Sequence, residues 1–155
     1  FRAGGPRRGD AAFLQLRRAA GAVLPHTWQP VMGHVLDGER AAAAALRELH
    51  EETGLLSTSV ERFWQLEEPN TFFLHAAECV MISPGFAVEA PAGWEPTLNG
   101  EHTASRWVPR DHADRLFLWP GQRHAVRQVV RDILSEDAAA EPVLRIDPRT
   151  LHRQA

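Results

Sequence analysis

The chain has 155 residues, of which 44% are hydrophobic, and its 17 Lys and Arg against 20 Asp and Glu give a net charge of −3. This length fits one domain with one core, and the charge excludes a basic field that would attract long nucleic acids. No apolar run approaches the roughly 20 residues that span a bilayer, and residues 1–10 lack the apolar centre of a signal peptide. Cys79 is the only cysteine, which excludes an internal disulfide. We therefore expect a cytoplasmic protein without a membrane partner.

The amino-terminal third predicts two strands. Residues 3–10 are rich in turn-forming residues, and Ala11 to Arg18 reads as a strand bounded by turn signals. After a loop, the run from Trp28 to Val35 is apolar enough for a short strand, which Pro30 interrupts.

The run from Gly33 to Leu55 concentrates the chemistry of the sequence. At about 100° per residue, a helix here places Glu48, Glu51 and Glu52 within an arc of about 100°. Another side of the same helix carries apolar residues, namely Ala42, Leu46 and Leu49. Arg47 precedes Glu51 by four positions, the spacing at which a guanidinium holds a carboxylate on a helix.

Three carboxylates on one side of a helix predict a bound cation. A pair about 5 Å apart repels by roughly 3 kcal/mol at an effective dielectric constant near 20. Carboxylate oxygens suit Mg²⁺ or Mn²⁺, and Mg²⁺ in proteins commonly shares its shell with substrate phosphates. The pattern therefore indicates a magnesium or manganese cofactor and phosphate chemistry.

This run resembles the signature of the Nudix hydrolase family, G-x5-E-x7-R-E-U-x-E-E-x-G-U, in which U is aliphatic. Its fixed positions are filled by Gly33, Glu39, Arg47, Glu48, Glu51, Glu52 and Gly54, and its aliphatic ones by Leu49 and Leu55. A chance match has odds on the order of 10⁻⁸ per start point. A solvated amphipathic helix explains acids on one face but does not require both glycines and Glu39 at their distances.

The resemblance implies a fold, a reaction and roles for residues. The fold is α/β, an α/β/α sandwich about a mixed β-sheet, and the reaction is hydrolysis of a phosphoric anhydride bond in a nucleoside diphosphate derivative. The implied metal site comprises Gly33, Glu48, Glu51, Glu52 and Glu101, and the implied catalytic residues are Arg47, Glu48, Glu51 and Glu52. Glu48 and Glu52 are the expected metal ligands, whereas Glu51 or Glu101 binds further metal or takes the proton from water.

The pair Trp28 and Gln29 resembles the "WQ" of a bacterial subgroup that acts on dihydroneopterin triphosphate and deoxynucleoside triphosphates. On this resemblance the two residues bind substrate, Trp28 by stacking and Gln29 through its amide. The competing interpretation is that Trp28 is an ordinary core residue. Alternative substrates are dinucleoside polyphosphates, ADP-ribose and nucleotide sugars, and a second class of function is a nucleotide sensor without turnover.

The region after the helix predicts more strands and a long loop. Val60 to Glu67 and Phe72 to Ile82 read as strands, with Cys79 as a buried, inert thiol in the second. The run from Pro84 to Gly100 contains three prolines and three glycines, which predicts a loop, and we expect it to act as a substrate lid.

The remainder predicts a strand, a helix and a tail. A strand covers Thr103 to Val108, and Trp119 to Leu134 has apolar residues at helical spacing. We treat His34, His50, His75 and His102 as structural or surface residues because they show no zinc-ligand spacing. We assign residues 1–134 to the Nudix hydrolase domain and 135–155 to a carboxyl-terminal extension. This extension could pack on the domain, pair with a second copy in a homodimer, or stay mobile.

Overall fold

The computed structural model describes residues 1–3, 10–60 and 62–151, without the side chain of Ala76. Most of the predicted turn-rich stretch 3–10 and the last four residues of the extension lie outside the described residues. The strands are β1 (Ala12–Arg18), β2 (Trp28–Gln29), β3 (Arg62–Gln65), β4 (Asn70–Leu74), β5 (Cys79–Ser83), β6 (Phe86–Glu89), β7 (His102–Pro109) and β8 (Arg145–Ile146). The helices are α1 (Ala41–Thr53), α2 (Ala113–Leu116), α3 (Pro120–Val129), which continues as a π-helical turn Val130–Leu134, and α4 (Glu141–Leu144).

Two three-stranded sheets form the centre of the molecule. One has the order β2-β1-β7 and the other the order β6-β3-β8. In the first sheet Leu16 lies opposite Ser105 and Arg18 lies opposite His102, with an irregularity in register between Arg17 and Arg18. All pairings between described strands are antiparallel, so the parallel pairing that makes a sheet mixed is not among them.

Two hydrophobic clusters hold helices against these sheets. Leu46 of α1 packs with Phe63 of β3 and with Leu55, Val60 and Leu151. The second cluster joins the opposite side of β3, where Trp64 lies, to β1, β7, α3 and its π-helical turn. Because successive strand residues face opposite sides, Phe63 and Trp64 bring helices to both faces of one sheet. This arrangement confirms the α/β prediction and the helix predicted from Trp119 to Leu134.

Three predicted elements differ from the structure. The strand predicted from Trp28 to Val35 contains only β2, because Pro30 has no N–H to continue the ladder. The single strand predicted from Phe72 to Ile82 is a hairpin, in which β4 and β5 are joined by a 3₁₀ turn, His75–Ala77. The loop predicted from Pro84 to Gly100 contains strand β6, which pairs with β3.

The hairpin β4–β5 is more exposed than the sequence indicates. Cys79 is half-buried there rather than buried, with its Sγ 3.7 Å from the sulfur of Met81. On one face of the hairpin Phe73 and Val80 are paired across the strands and are 59% and 64% exposed. The inert core thiol expected at Cys79 is therefore wrong in its burial.

The described part of the extension packs on the domain. Leu144 of α4 and Leu151 belong to the two clusters, and Ile146 of β8 pairs with Phe63. The Nε1 of Trp64 also donates to Glu141, at 2.9 Å. Of the three alternatives for the tail, packing is the one that residues 135–151 show. No helix in the described residues has the length and apolar character needed to cross a membrane.

Candidate functional site

Helix α1 presents the signature residues and ends where the sequence predicts. Gly54 adopts φ 73°, and its N–H donates to the carbonyl of His50 at 2.8 Å. Glycine takes this left-handed conformation without the Cβ strain that other residues meet. At the other end Arg40 occupies the N-cap position without a side-chain cap. Because no Ser or Thr caps the first turn, α1 is stabilised mainly by packing of its apolar side, including Leu46, against the core.

Arg47 joins three carboxylates of the signature. Its Nε and Nη2 donate to the two oxygens of Glu39, at 2.9 and 3.0 Å, and its Nη1 donates to Glu48 at 2.9 Å and to Glu51 at 3.2 Å. These bonds hold the pKa of Glu39 below its usual value, helped by a hydrogen bond from the N–H of Leu36. The contact with Glu51 confirms the predicted spacing, and Arg47 also ties the loop before α1 to the helix.

Gly33 permits the loop before α1 to lie directly on Glu48. A Cβ on Gly33 would come within 1.9 Å of the carboxyl carbon of Glu48, closer than any real contact. The N–H of the next residue, His34, donates to Glu48 Oε1 at 3.2 Å, and the His34 carbonyl accepts from Arg47 at 2.9 Å. The signature therefore requires a glycine here because the backbone itself forms one wall of the carboxylate site.

Glu52 is a buried carboxylate with an oxygen that lacks a partner. Its residue is 3% exposed, and Oε2 has no hydrogen-bond partner among the described residues. Burial, and then the negative charges of Glu48 and Glu101, raise its pKa to about 8, although Arg18 and the N–H of Met32 oppose the shift. An acid in this position is stabilised either by a proton or by an external cation.

Strands β1 and β7 supply the groups that surround Glu52. Nε2 of His102 lies 3.9 Å from Glu52 Oε2, and Nη1 of Arg18 lies 3.6 Å from Glu101. His102 is 6% exposed, and burial first, then Arg18, lower its pKa. Glu101 lies immediately before β7, and its negative charge acts on Glu52. Its carbonyl also accepts from the N–H of Ala19 at 2.8 Å.

The acids on α1 differ in their environments. Glu52 faces the β2-β1-β7 sheet, whereas the side chain of Glu51 is 51% exposed and is bound by Arg47. Within the described residues, no three His, Cys, Asp or Glu side chains converge closely enough to hold a metal ion. The negative charges of Glu48 and Glu101 act on Glu52, so these three carboxylates form one group. Glu51 lies at the outer edge of that group.

Trp28 and Gln29 face opposite sides of their sheet. Trp28 lies opposite Arg17 and stacks under the guanidinium of Arg106, with Cζ 4.2 Å from the ring centroid. Gln29, opposite Leu16, is 8% exposed and donates to Thr27 Oγ1 at 2.9 Å. Adjacent strand residues alternate in direction, so the two side chains do not face one ring from the same side, and substrate binding by either of them stays a prediction.

The sequence does not reveal three residues that the structure places near the site. Arg18 and His102 meet Glu52 only through the pairing of β1 with β7, which joins residues more than 80 positions apart. Arg106 meets Trp28 across the same sheet. The one available signal is alternation within the predicted strands, which puts Arg18 on the same side as Leu16 but does not identify the partner strand.

The comparisons with known proteins establish the family. The NUDIX domain model matches residues 4–129, which is well over half of the chain. The chain therefore belongs to the Nudix hydrolase family, as its signature indicates.

Two curated relatives show the range of similarity. The chain is 31% identical to bis(5'-nucleosyl)-tetraphosphatase [asymmetrical] of Sus scrofa over 127 residues, covering 75% of this chain and 76% of that protein. It is also 35% identical over 103 residues to an octanoyltransferase of Myxococcus xanthus, covering 65% of this chain. The matched part spans only 28% of the octanoyltransferase.

Solved structures confirm the fold. The dihydroneopterin triphosphate pyrophosphohydrolase of E. coli superimposes with a TM-score of 0.66 at 24% identity, covering 77% of this chain and 85% of that one. The C. elegans Ap4A hydrolase in a binary complex gives a TM-score of 0.62 at 23% identity, covering 77% and 83%. At these identities the likeness concerns the fold.

Proposed function

We propose that this protein is a divalent-metal-dependent hydrolase that cleaves a phosphoanhydride bond in a nucleoside or pterin triphosphate. The observation that carries the proposal is Glu52, a buried carboxylate with an unpartnered oxygen beside two further carboxylates. Such a group favours a bound cation, and the surrounding residues fill the family signature without an exception.

The residues present fit a hard divalent ion. Glu48 and Glu52 offer carboxylate oxygens, and the backbone at Gly33 lies against Glu48 with no side chain between them. Oxygen donors of this kind suit Mg²⁺ or Mn²⁺. When bound, the ion supplies charge neutralisation at the phosphate oxygens and lowers the pKa of a bound water. Glu48 and Glu52 would hold it, with Gly33 lending its carbonyl, and a third carboxylate from Glu51 or Glu101 would have to move towards the ion, because no three such side chains converge in the described residues.

The protein's own groups prepare that site for hydrolysis. Arg47 fixes Glu48 and Glu51 in position through hydrogen bonds of 2.9 and 3.2 Å, so neither acid must be ordered when substrate arrives. Glu51 and Glu101 are the two candidates for accepting the proton of the attacking water. Glu51 is exposed and bound by Arg47, whereas Glu101 is exposed and lies near Arg18, so both reach solvent.

A second substrate class is favoured by a specific observation. The 31% identity with the bis(5'-nucleosyl)-tetraphosphatase extends over three quarters of both proteins, which supports a dinucleoside polyphosphate as the alternative substrate. The match with the octanoyltransferase supports no acyl transfer, because it covers 28% of that protein. ADP-ribose and nucleotide sugars remain further alternatives.

A substrate panel tests this proposal. The protein is incubated with Mg²⁺ or Mn²⁺ and with nucleoside triphosphates, dihydroneopterin triphosphate, dinucleoside polyphosphates, ADP-ribose and nucleotide sugars, and the products are separated. We expect metal-dependent release of pyrophosphate from a triphosphate. Preferential cleavage of a dinucleoside polyphosphate would support the second class, and binding without turnover on the whole panel would indicate a sensor.

A further inference from the structure

A second polar arrangement lies on the face of the β2-β1-β7 sheet that carries Gln15 and Trp28. Nε and Nη2 of Arg106 both donate to Gln15 Oε1, at 2.9 and 2.7 Å. Gln15 is fully buried, and its own Nε2 donates to the carbonyl of Leu116 at 3.0 Å, which fixes the direction of Oε1. With Trp28 under its plane at 4.2 Å, the guanidinium of Arg106 is fixed in both position and orientation.

This arginine is held by uncharged groups alone. Among the described residues no carboxylate lies within ion-pair distance of Arg106, whereas Arg47 contacts three. Burial also lowers the pKa of Arg106. A partly buried guanidinium that is held by an amide and an indole keeps its charge and its remaining N–H groups for an outside partner.

The contacts of Arg106 define which N–H groups remain. Gln15 Oε1 accepts from the edge of the guanidinium formed by Nε and one N–H of Nη2. One N–H of Nη1 and the second N–H of Nη2 remain side by side, and Nη1 has no hydrogen-bond partner in the described part of the chain. Such a fork matches two adjacent acceptors, as the O6 and N7 atoms of guanine are, whereas adenine places an amino group where O6 stands.

We propose that Arg106 binds the ring of the substrate and selects a 6-oxopurine or a pterin, whose carbonyl oxygen and neighbouring ring nitrogen accept from this fork. The inference rests on the proposed function only for the attached phosphates. Arg106 then acts as a specificity-determining residue, and Trp28 stacks on the flat face of its guanidinium.

The distance between this ring site and the acids suits one nucleotide. Trp28 is separated from Met32 by four residue steps, at most about 14 Å of chain. The backbone N–H of Met32 acts on the carboxylate of Glu52 and lowers its pKa, and the sulfur of Met32 lies 3.6 Å from Nε2 of Gln122 in α3. A nucleoside triphosphate with its ring at Arg106 thus has its phosphates near Glu52.

Two measurements on the full chain test the inference. Calorimetric titration without metal compares GMP, neopterin and AMP, and kcat/KM with Mg²⁺ compares GTP, dihydroneopterin triphosphate and ATP. We expect wild type to prefer the oxo rings and Arg106→Met to lose about 10- to 100-fold of that preference while ATP changes less than threefold. The relative affinities of GMP and neopterin show which oxo ring is preferred. Arg115→Met, an exposed arginine of α2, is the matched control and should behave as wild type.

Other results would contradict ring selection by Arg106 or separate it from the proposed hydrolysis. Equal affinity of wild type for GMP and AMP, or an equal loss for GTP and ATP in Arg106→Met, contradicts ring selection by Arg106. If Arg106→Met does not fold, Arg106→Lys keeps the charge but has no fork, and retained preference in that variant also contradicts it. Absence of turnover in wild type with selective GMP binding that Arg106→Met abolishes would refute the proposed hydrolysis and leave the ring site standing.

Discussion

At the scale of single residues, the spacing of the signature predicts the contact of Arg47 with Glu51 but not the burial of Glu52. A helical projection places Glu48, Glu51 and Glu52 on one polar side, where all three read as exposed. Glu52 is buried because β1 and β7 cover that part of the helix, and His102 comes within 3.9 Å of it. Local spacing carries no information about a sheet that covers the helix, so the protonation state of Glu52 follows only from tertiary structure.

The raised pKa of Glu52 predicts a pH-dependent stability in the metal-free protein. The folded protein retains the proton up to a pKa of about 8, whereas the unfolded chain loses it near 4.5. This contribution is therefore complete below pH 4.5 and is lost as the pH rises towards 8. We expect the melting temperature of the protein in EDTA, measured relative to Glu52→Gln, to fall between pH 5 and pH 8.

The comparison with Glu52→Gln isolates this effect, because other titrating groups such as His102 are present in both proteins. Glu51→Gln is the matched control, since the side chain of Glu51 is 51% exposed and should leave the wild-type slope unchanged. Mg²⁺ should remove most of the loss at pH 8, because an ion that binds only the folded site stabilises it. Parallel curves for wild type and Glu52→Gln would contradict the assigned environment of Glu52.

At the scale of secondary structure, the errors of sequence reasoning have local causes. The hairpin β4–β5 reads as one strand because its turn contains neither Gly nor Pro, and Glu78 takes the positive φ of 49° that glycine usually adopts. Helix α1 and strands β1 and β7 are predictable, since periodicity and turn signals mark them. The pairing of β8 with β3 has no signal, because a strand of two residues has no period.

Gly33 links the loop before α1 to the proposed metal site, so we predict weaker metal binding in Gly33→Ala. Since the new Cβ would overlap Glu48, the loop or the carboxylate must move. We expect at least a tenfold weaker affinity for Mn²⁺ by calorimetry, with the helix content unchanged in circular dichroism. Gly21→Ala is the control, because its Cβ meets nothing within 4 Å. Equal affinities in the two variants would show that Gly33 does not shape the site.

The packing of α4 predicts that the extension stabilises the domain. Leu144 is 7% exposed in the cluster with Trp64 and α3, and Leu→Ala substitutions at such positions cost about 2 to 5 kcal/mol. We expect Leu144→Ala to lower the free energy of unfolding by that amount in urea titrations. The neighbouring Val143 is 80% exposed, so Val143→Ala should change it by less than about 0.5 kcal/mol. A small effect at both positions would mean that residues 135–151 do not support the domain in solution.

At the scale of the whole molecule, the fold class is predictable because the signature identifies the family, and the composition agrees with one domain. The division of the centre into two three-stranded sheets and the position of the proposed ring site are not predictable, because both depend on pairings between distant strands. Gln15 and Arg106 are 91 positions apart, yet their hydrogen bonds orient the proposed selective group. The substrate is therefore the part of the function that the sequence determines least directly.

The central claim is that the buried carboxylate of Glu52 holds the metal that hydrolysis requires. The most direct measurement is kcat of wild type and Glu52→Gln at saturating Mg²⁺, on the preferred substrate of the panel, together with the melting temperature of each protein. Because the amide keeps the size of the side chain but not its charge, we predict that Glu52→Gln loses most of the turnover, about 100-fold or more, while remaining folded. A folded Glu52→Gln variant with a kcat near that of wild type would contradict the claim.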